Sequence, residues 1–166
     1  NEPDVLALQE LKVTDEAFPL TEFKNSGYYA VHCCQKTYNG VALLSKQPGC
    51  DVITTIPNFE DDQKRVVAAT YGDIRVVCIY VPNGESVDSE KFQYKLNWLS
   101  ALNRWLHEEL TQFPKLVLLG DFNIAPADSD VHNPELWKDQ VLCTQQRHFR
   151  SIQQIHSHYQ RFAAWQ

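Results

Sequence analysis

The chain contains no methionine, although it is 166 residues long. A complete gene product starts with one, so Asn1-Glu2-Pro3-Asp4 is expected to be an internal starting point of a processed, trimmed or partial sequence. Long apolar runs are missing as well. None approaches the roughly 20 residues that cross a bilayer, and no basic-then-apolar signal segment opens the chain. The expected setting is therefore cytoplasmic, with no membrane partner. No C-x-x-C pair occurs, and the cysteines at 33, 34, 50, 78 and 143, odd in number with one adjacent pair, make a poor disulfide framework. They read as buried thiols in a reducing compartment. Basic charge is in deficit too: 15 Lys and Arg stand against 21 Asp and Glu, a net charge of −6. That argues against a general electrostatic grip on nucleic acid. It leaves a nuclease open, because carboxylates gathered round a divalent cation raise the acidic count while the bound metal reverses the field that a phosphate meets.

What is present fits one globular domain, or part of one: 43% of the residues are hydrophobic, and the length suffices for a single core. No repeats or low-complexity linkers stand out. Thr14-Asp-Glu-Ala-Phe-Pro19 reads as a helical turn, with a capping residue, early acids and a terminating proline. Runs from Tyr28 to Cys34 and from Gly40 to Ser45 predict a hairpin, helped by Asn39-Gly40. Cys50 to Ile56 adds a candidate strand, and the runs flanking Gly72-Asp73, Arg65 to Tyr71 and Ile74 to Tyr80, predict a second hairpin. Phe92, Leu96, Leu99, Asn103, Leu106 and Leu110 recur at helical spacing, broadened by Trp98, Leu102 and Trp105. They predict a long amphipathic helix over Ser89 to Leu110 that must lie against a sheet. Pro134 to Trp137 reads as a short helix capped by Asn133. In the tail, Ile152, Ile155, Tyr159 and Phe162 again have helical spacing.

The richest stretch is Lys115-Leu-Val-Leu-Leu-Gly-Asp-Phe-Asn123. Its apolar run reads as a strand buried on both faces, leading into a Gly-Asp-X-Asn turn, and ligands of α/β folds lie beyond the carboxyl ends of such strands. Asp121 and Asn123 are placed there. Near the start, Asp4-Val-Leu-Ala-Leu-Gln-Glu10 repeats the pattern and delivers Gln9 and Glu10. Two apolar strands, each ending in acid, point to one shared metal or phosphate site. Taken alone, Glu10 could be a solvated acid, Asp121 a turn cap and Tyr80 a packing residue with a wet hydroxyl.

Four segments occur in one order: Leu8-Gln-Glu-Leu-Lys12, Gln35-Lys-Thr-Tyr-Asn-Gly-Val-Ala-Leu-Leu-Ser-Lys46, Tyr80-Val-Pro-Asn-Gly84 and Gly120-Asp-Phe-Asn-Ile-Ala-Pro126. In these the chain resembles the exodeoxyribonuclease III family of the endonuclease/exonuclease/phosphatase superfamily, from Pro3 to about Leu142. The resemblance implies a four-layer α/β/β/α sandwich related to deoxyribonuclease I, incomplete in this chain. It implies Glu10 as a magnesium ligand, with manganese as an alternative cation. Asp121 would contact the attacking water or the leaving oxygen, Asn123 would orient the nucleophile, and the Tyr80 hydroxyl would approach the scissile phosphate. Lys36, Asn39, Arg65 and Lys95 are candidate phosphate contacts. The implied partner is duplex DNA with 3′ ends or abasic sites, and the full-length protein is expected to be a monomer.

The chain departs from the family pattern at both ends. The family's first strand, with its metal-site asparagine, has no counterpart, and no Ser-Asp-His segment occurs in the 166 residues. From about Cys143 the match weakens, and His156 and His158 lack an acidic neighbour. The segment is expected to be inactive and poorly soluble alone. Alternatives are another superfamily phosphodiesterase or phosphatase, acting on inositol phosphates or sphingomyelin, and a non-catalytic remnant of the fold.

Overall fold

The computed structural model describes residues 2–125, 127–138 and 140–143. Seven strands are present among them: β1 (Val5–Gln9), β2 (Tyr29–Cys33), β3 (Val41–Ser45), β4 (Cys50–Ile53), β5 (Val66–Tyr71), β6 (Ile74–Tyr80) and β7 (Leu116–Asp121). The helices are α1 (Leu20–Asn25), α2 (Glu90–Gln112) and α3 (Pro134–Trp137), with 3₁₀ turns at Asp15–Ala17 and Asp128–Asp130. Two compact units form. One comprises Asn1–Tyr80 and His107–Asp121, the other Val81–Leu106 and Phe122–Gln166.

The first unit holds two sheets. One has the order β1-β3-β2 and is antiparallel throughout. The other, β4-β5-β6-β7, is antiparallel except for its parallel β6–β7 pair. Side chains alternate across a pleated strand, and β3, buried at every position, uses both faces. Val41 and Leu43 join Cys33 of β2 against Val67, Ala69, Val76 and Cys78 of the second sheet. Ala42 and Leu44 face the other way, with Phe18 and Cys34, and Phe23 of α1 lies against them. Burying a Val or Leu side chain stabilises by about 1.5–3 kcal/mol. This double use of β3 makes it the spine of the unit.

The outer face of the second sheet carries a charge. Arg75 shares one face of β6 with Val77 and Ile79 and is 0% exposed. Its Nε donates to Glu109 Oε2 at 2.7 Å, Nη1 donates to the Asp51 carbonyl at 2.6 Å, and the guanidinium lies 4.7 Å from the Phe113 ring centroid. The pair thus fastens the end of α2 to β6. Gly120 fixes the neighbouring strand: at φ +134°, a Cβ there would meet the Ile79 carbonyl oxygen at 2.0 Å. Only glycine lets β7 approach β6 so closely.

In the second unit, Ser89 caps α2 by accepting the Phe92 N–H on its Oγ, and Asn133 caps α3 through the Leu136 N–H. Both hairpins, the α2 stripe and the Asn133 cap agree with the sequence reading. Three expectations change. In β7 only Leu116 is buried, and Val117 to Asp121 are half-buried, because among the described residues β7 is the last strand of its sheet. The strand also runs on through Asp121, so this residue ends a strand where a turn was expected. All five cysteines are free, but Cys50 is exposed and Cys143 half-buried, whereas Cys33, Cys34 and Cys78 are buried. The periodic tail lies outside the described residues. Among those residues, no helix is long and apolar enough to cross a membrane.

Two substitutions test these supports. Glu109→Ala strands a buried guanidinium and is expected to cost about 3–5 kcal/mol in urea unfolding, whereas Arg75→Met with Glu109→Leu should recover most of that loss. Gly120→Ala is expected to cost about 3 kcal/mol or more, since Cβ and the Ile79 carbonyl cannot share that space.

Candidate active site

Three strand ends supply the first unit's polar cluster. β6 and β7 run parallel with Tyr80 and Asp121 as register partners, so phenol and carboxylate stand side by side at the sheet's edge. Glu10 follows β1 of the other sheet directly. Its backbone lies at φ 53° and that of Lys12 at φ 55°, left-handed values that non-glycine residues seldom adopt. What holds the chain there is the loop after β2: Leu11 N–H donates to the Gly40 carbonyl at 3.3 Å and Lys12 N–H to the Asn39 carbonyl at 3.1 Å. So turned, Glu10 accepts the Tyr80 hydroxyl on Oε1 at 3.0 Å and the Lys12 ammonium on Oε2 at 2.7 Å. Its side chain remains 43% exposed.

These neighbours set the protonation states. The bonds from Lys12, first, and Tyr80, second, hold the Glu10 carboxyl below its ordinary pKa against a small desolvation cost, with Arg65 assisting. The Tyr80 phenol is pushed the opposite way by burial, by its bond to Glu10 and by the charge of Asp121. At neutral pH the pair is a carboxylate beside a protonated hydroxyl, one acceptor and one donor.

Behind Tyr80 runs a chain of amides. The guanidinium of Arg65 lies 4.7 Å from the Tyr80 ring centroid, its Nη1 donates to the Tyr80 carbonyl at 3.1 Å, and its Nε donates to Gln63 Oε1 at 2.8 Å. Asn39 Nδ2 donates to Gln35 Oε1 at 2.8 Å. Of the four residues expected to touch phosphate, Lys36 is exposed and Arg65 half-buried. Asn39 is 4% exposed and Lys95 2% exposed. Lys12, Gln35 and Gln63 carry no role in the sequence reading. Lys12 was within reach of it, since it shares a motif with Glu10.

The second unit holds Asn123 firmly. Its φ of 47° suits asparagine, the residue besides glycine that best tolerates this region. Nδ2 donates to the Val81 carbonyl at 2.9 Å, and the Asn123 carbonyl accepts the Lys95 ammonium at 2.7 Å. The same ammonium donates to the Asn83 carbonyl at 3.2 Å. Lys95 therefore ties the loop after β6 to the segment after β7.

The bonds on Glu10 predict a ranked response. Lys12→Met should raise the Glu10 carboxyl pKa further than Tyr80→Phe, as followed by carboxyl-carbon NMR titration. An unchanged Glu10 titration in Lys12→Met would remove the ion pair from the account.

The chain is 40% identical over 136 residues to exodeoxyribonuclease III of Haemophilus influenzae, covering 78% of this chain and 51% of that protein. It is similar to the solved structure of a 3′ phosphatase, NExo, from Neisseria bound to a product DNA hairpin, with TM-score 0.91 and 43% identity. That likeness covers 95% of this chain and 62% of the other. An AP endonuclease from Archaeoglobus fulgidus matches with TM-score 0.86 and 36% identity, covering 92% of this chain and 60% of the other. The chain spans about half the length of the curated relatives it matches. These likenesses bear out the α/β fold with two sheets and helices. The family profile described as Endonuclease/Exonuclease/phosphatase family matches residues 1–158, and the chain belongs to that family.

Proposed function

We propose that this chain carries part of the active centre of a divalent-cation-dependent DNA repair nuclease of the exodeoxyribonuclease III type. Its substrate would be duplex DNA, attacked at 3′ ends and at abasic sites. The observation that carries the reading is the 3.0 Å bond between Tyr80 and Glu10, with Asp121 in register beside Tyr80. Acid, phenol and acid converge from three strands.

The donor set suits magnesium, with manganese as an alternative. Magnesium keeps several waters and takes one or two carboxylates plus phosphate oxygens, and Glu10 is a half-exposed carboxylate held ionised. Bound there, the cation would neutralise charge on the phosphoryl oxygens. The remaining roles fall to the chain. Tyr80, a protonated donor, would turn its hydroxyl from Glu10 to a non-bridging phosphate oxygen and stabilise charge developing there. Asp121 would hold the attacking water or the leaving oxygen, and Asn123 would orient the nucleophile. Lys36 and Arg65 would contact backbone phosphates, which position a duplex without reading its sequence. Asn39 and Lys95, buried and bonded internally, would set the shape of the loops that carry Glu10 and Asn123.

No Ser-Asp-His segment occurs in the 166 residues, so cleavage by this chain alone is expected to be weaker by about 10³-fold or more. The test uses a protein in which the family's catalytic set is complete, with abasic duplex DNA and a phosphoinositide as competing substrates. Magnesium-supported incision of the DNA is expected, and Glu10→Gln should lower it by about 10³-fold. Turnover of the phosphoinositide in its place would favour the phosphatase branch of the family. Full incision by Glu10→Gln would sink the metal assignment.

A further inference from the structure

The face of the first sheet that looks away from the second sheet carries another reactive group. His32 and Cys34 are two residues apart at the end of β2, and the 3₁₀ turn Asp15–Ala17 brings a carboxylate to them. Asp15 Oδ1 lies 2.9 Å from His32 Nδ1 and accepts the Cys34 backbone N–H at 3.0 Å. Cys34 Sγ is 3.6 Å from the same ring nitrogen. These donor atoms all lie within 4.8 Å of one another.

We propose that Asp15, His32 and Cys34 form a binding site for a borderline-soft divalent cation of the zinc type. Three protein ligands would leave the fourth position to water on the exposed side of Asp15.

The distances decide in its favour. Tetrahedral zinc with bonds of about 2.3 Å to sulfur and about 2.0–2.1 Å to nitrogen and oxygen sets neighbouring donors roughly 3.3–3.6 Å apart. The nitrogen–sulfur separation of 3.6 Å already meets this. The nitrogen–oxygen separation of 2.9 Å must open by about 0.4 Å for that geometry, which rotation of an exposed carboxylate supplies. The other two ligands are held in place. Cys34 is 6% exposed, and the His32 ring stacks on Phe18 with centroids 4.3 Å apart.

Chemistry separates this site from Glu10. Imidazole and thiolate suit zinc, whereas magnesium takes oxygen ligands. Metal-free, burial and then the Asp15 charge push the Cys34 thiol up to about 12, and the Asp15 carboxyl, despite its desolvation, is held low by the Cys34 N–H and His32. Binding replaces the S–H bond by a sulfur–metal bond and releases that proton to solvent. A proton on His32 Nδ1 would move to Nε2, freeing Nδ1 as a ligand, and the Asp15–His32 hydrogen bond would give way to coordination. The competing reading of the same atoms is a hydrogen bond that pins the turn to β2, with no metal.

Cobalt(II) titration of the purified chain distinguishes the two. One equivalent is expected to give a thiolate-to-cobalt charge-transfer band that zinc(II) displaces. The band should vanish in Cys34→Ser and persist in Cys33→Ser and Cys143→Ser. This readout requires a thiolate, so cation uptake by His148, His156 or His158 does not imitate it. Asp15→Asn, which keeps an oxygen acceptor for His32, should weaken cobalt binding at least tenfold while the metal-free melting temperature stays the same. Absence of the band, its survival in Cys34→Ser, or undiminished cobalt affinity in Asp15→Asn would overturn the site.

Discussion

Between the two sheets lies an apolar layer built from Val41 and Leu43 of one and Val67, Ala69, Val76 and Cys78 of the other. Cys78 sits at its edge, where its thiol donates to the Leu8 carbonyl at 3.7 Å and accepts the Gln9 amide at 3.3 Å. Burial pushes that thiol up to about 12, so it stays protonated. Glu10 follows Gln9 directly, whereas Tyr80 lies two residues beyond Cys78 in β6. The carboxylate and the phenol thus ride on different sheets. Their 3.0 Å bond exists only because the apolar layer sets the distance between those sheets, and interiors packed at crystal-like density hold such distances closely.

Electrostatics then divides the labour. A chain of net charge −6 cannot attract phosphate by bulk charge, so local arrangement must supply the attraction. Around Tyr80, Lys12 and Arg65 stand beside the Glu10 carboxylate, and the proposed phosphate contacts rest on that local arrangement. Elsewhere charge serves the scaffold: Arg75 and Glu109 meet inside the first unit, and the Lys95 ammonium binds two carbonyls inside the second. A buried pair of this kind is weak evidence for added stability, because desolvation opposes the Coulombic gain. Its clearer effect is geometric, since each of these groups joins segments far apart in the chain.

Much of this was legible in the residues. Strand-like runs about Asn39-Gly40 and Gly72-Asp73 marked both hairpins, the stripe from Phe92 to Leu110 marked α2, and Asn133 before Pro134 marked a cap. These depend on neighbours within a turn or a strand, whose physics is local. The edge position of β7 was not legible. Its apolar run looks like a doubly buried strand, and only the sheet order β4-β5-β6-β7 shows that, among the described residues, no strand pairs beyond it in that sheet. Asn39 and Lys95 read as candidate phosphate contacts, and their burial was not legible because burial is a property of the whole assembly.

By itself the sequence marked the seven strands, the long helix α2 and the short α3, though not α1, since backbone propensity acts over a few residues. It also determined the chemical types available: acid at 10 and 121, phenol at 80, amide at 123. Tertiary structure alone decided that Glu10 meets Tyr80 across 70 residues, that Arg75 reaches Glu109 across 34, and that Asp15 closes on His32 and Cys34. Those meetings depend on how sheets stack and strands register, which only the packing of the whole chain can set.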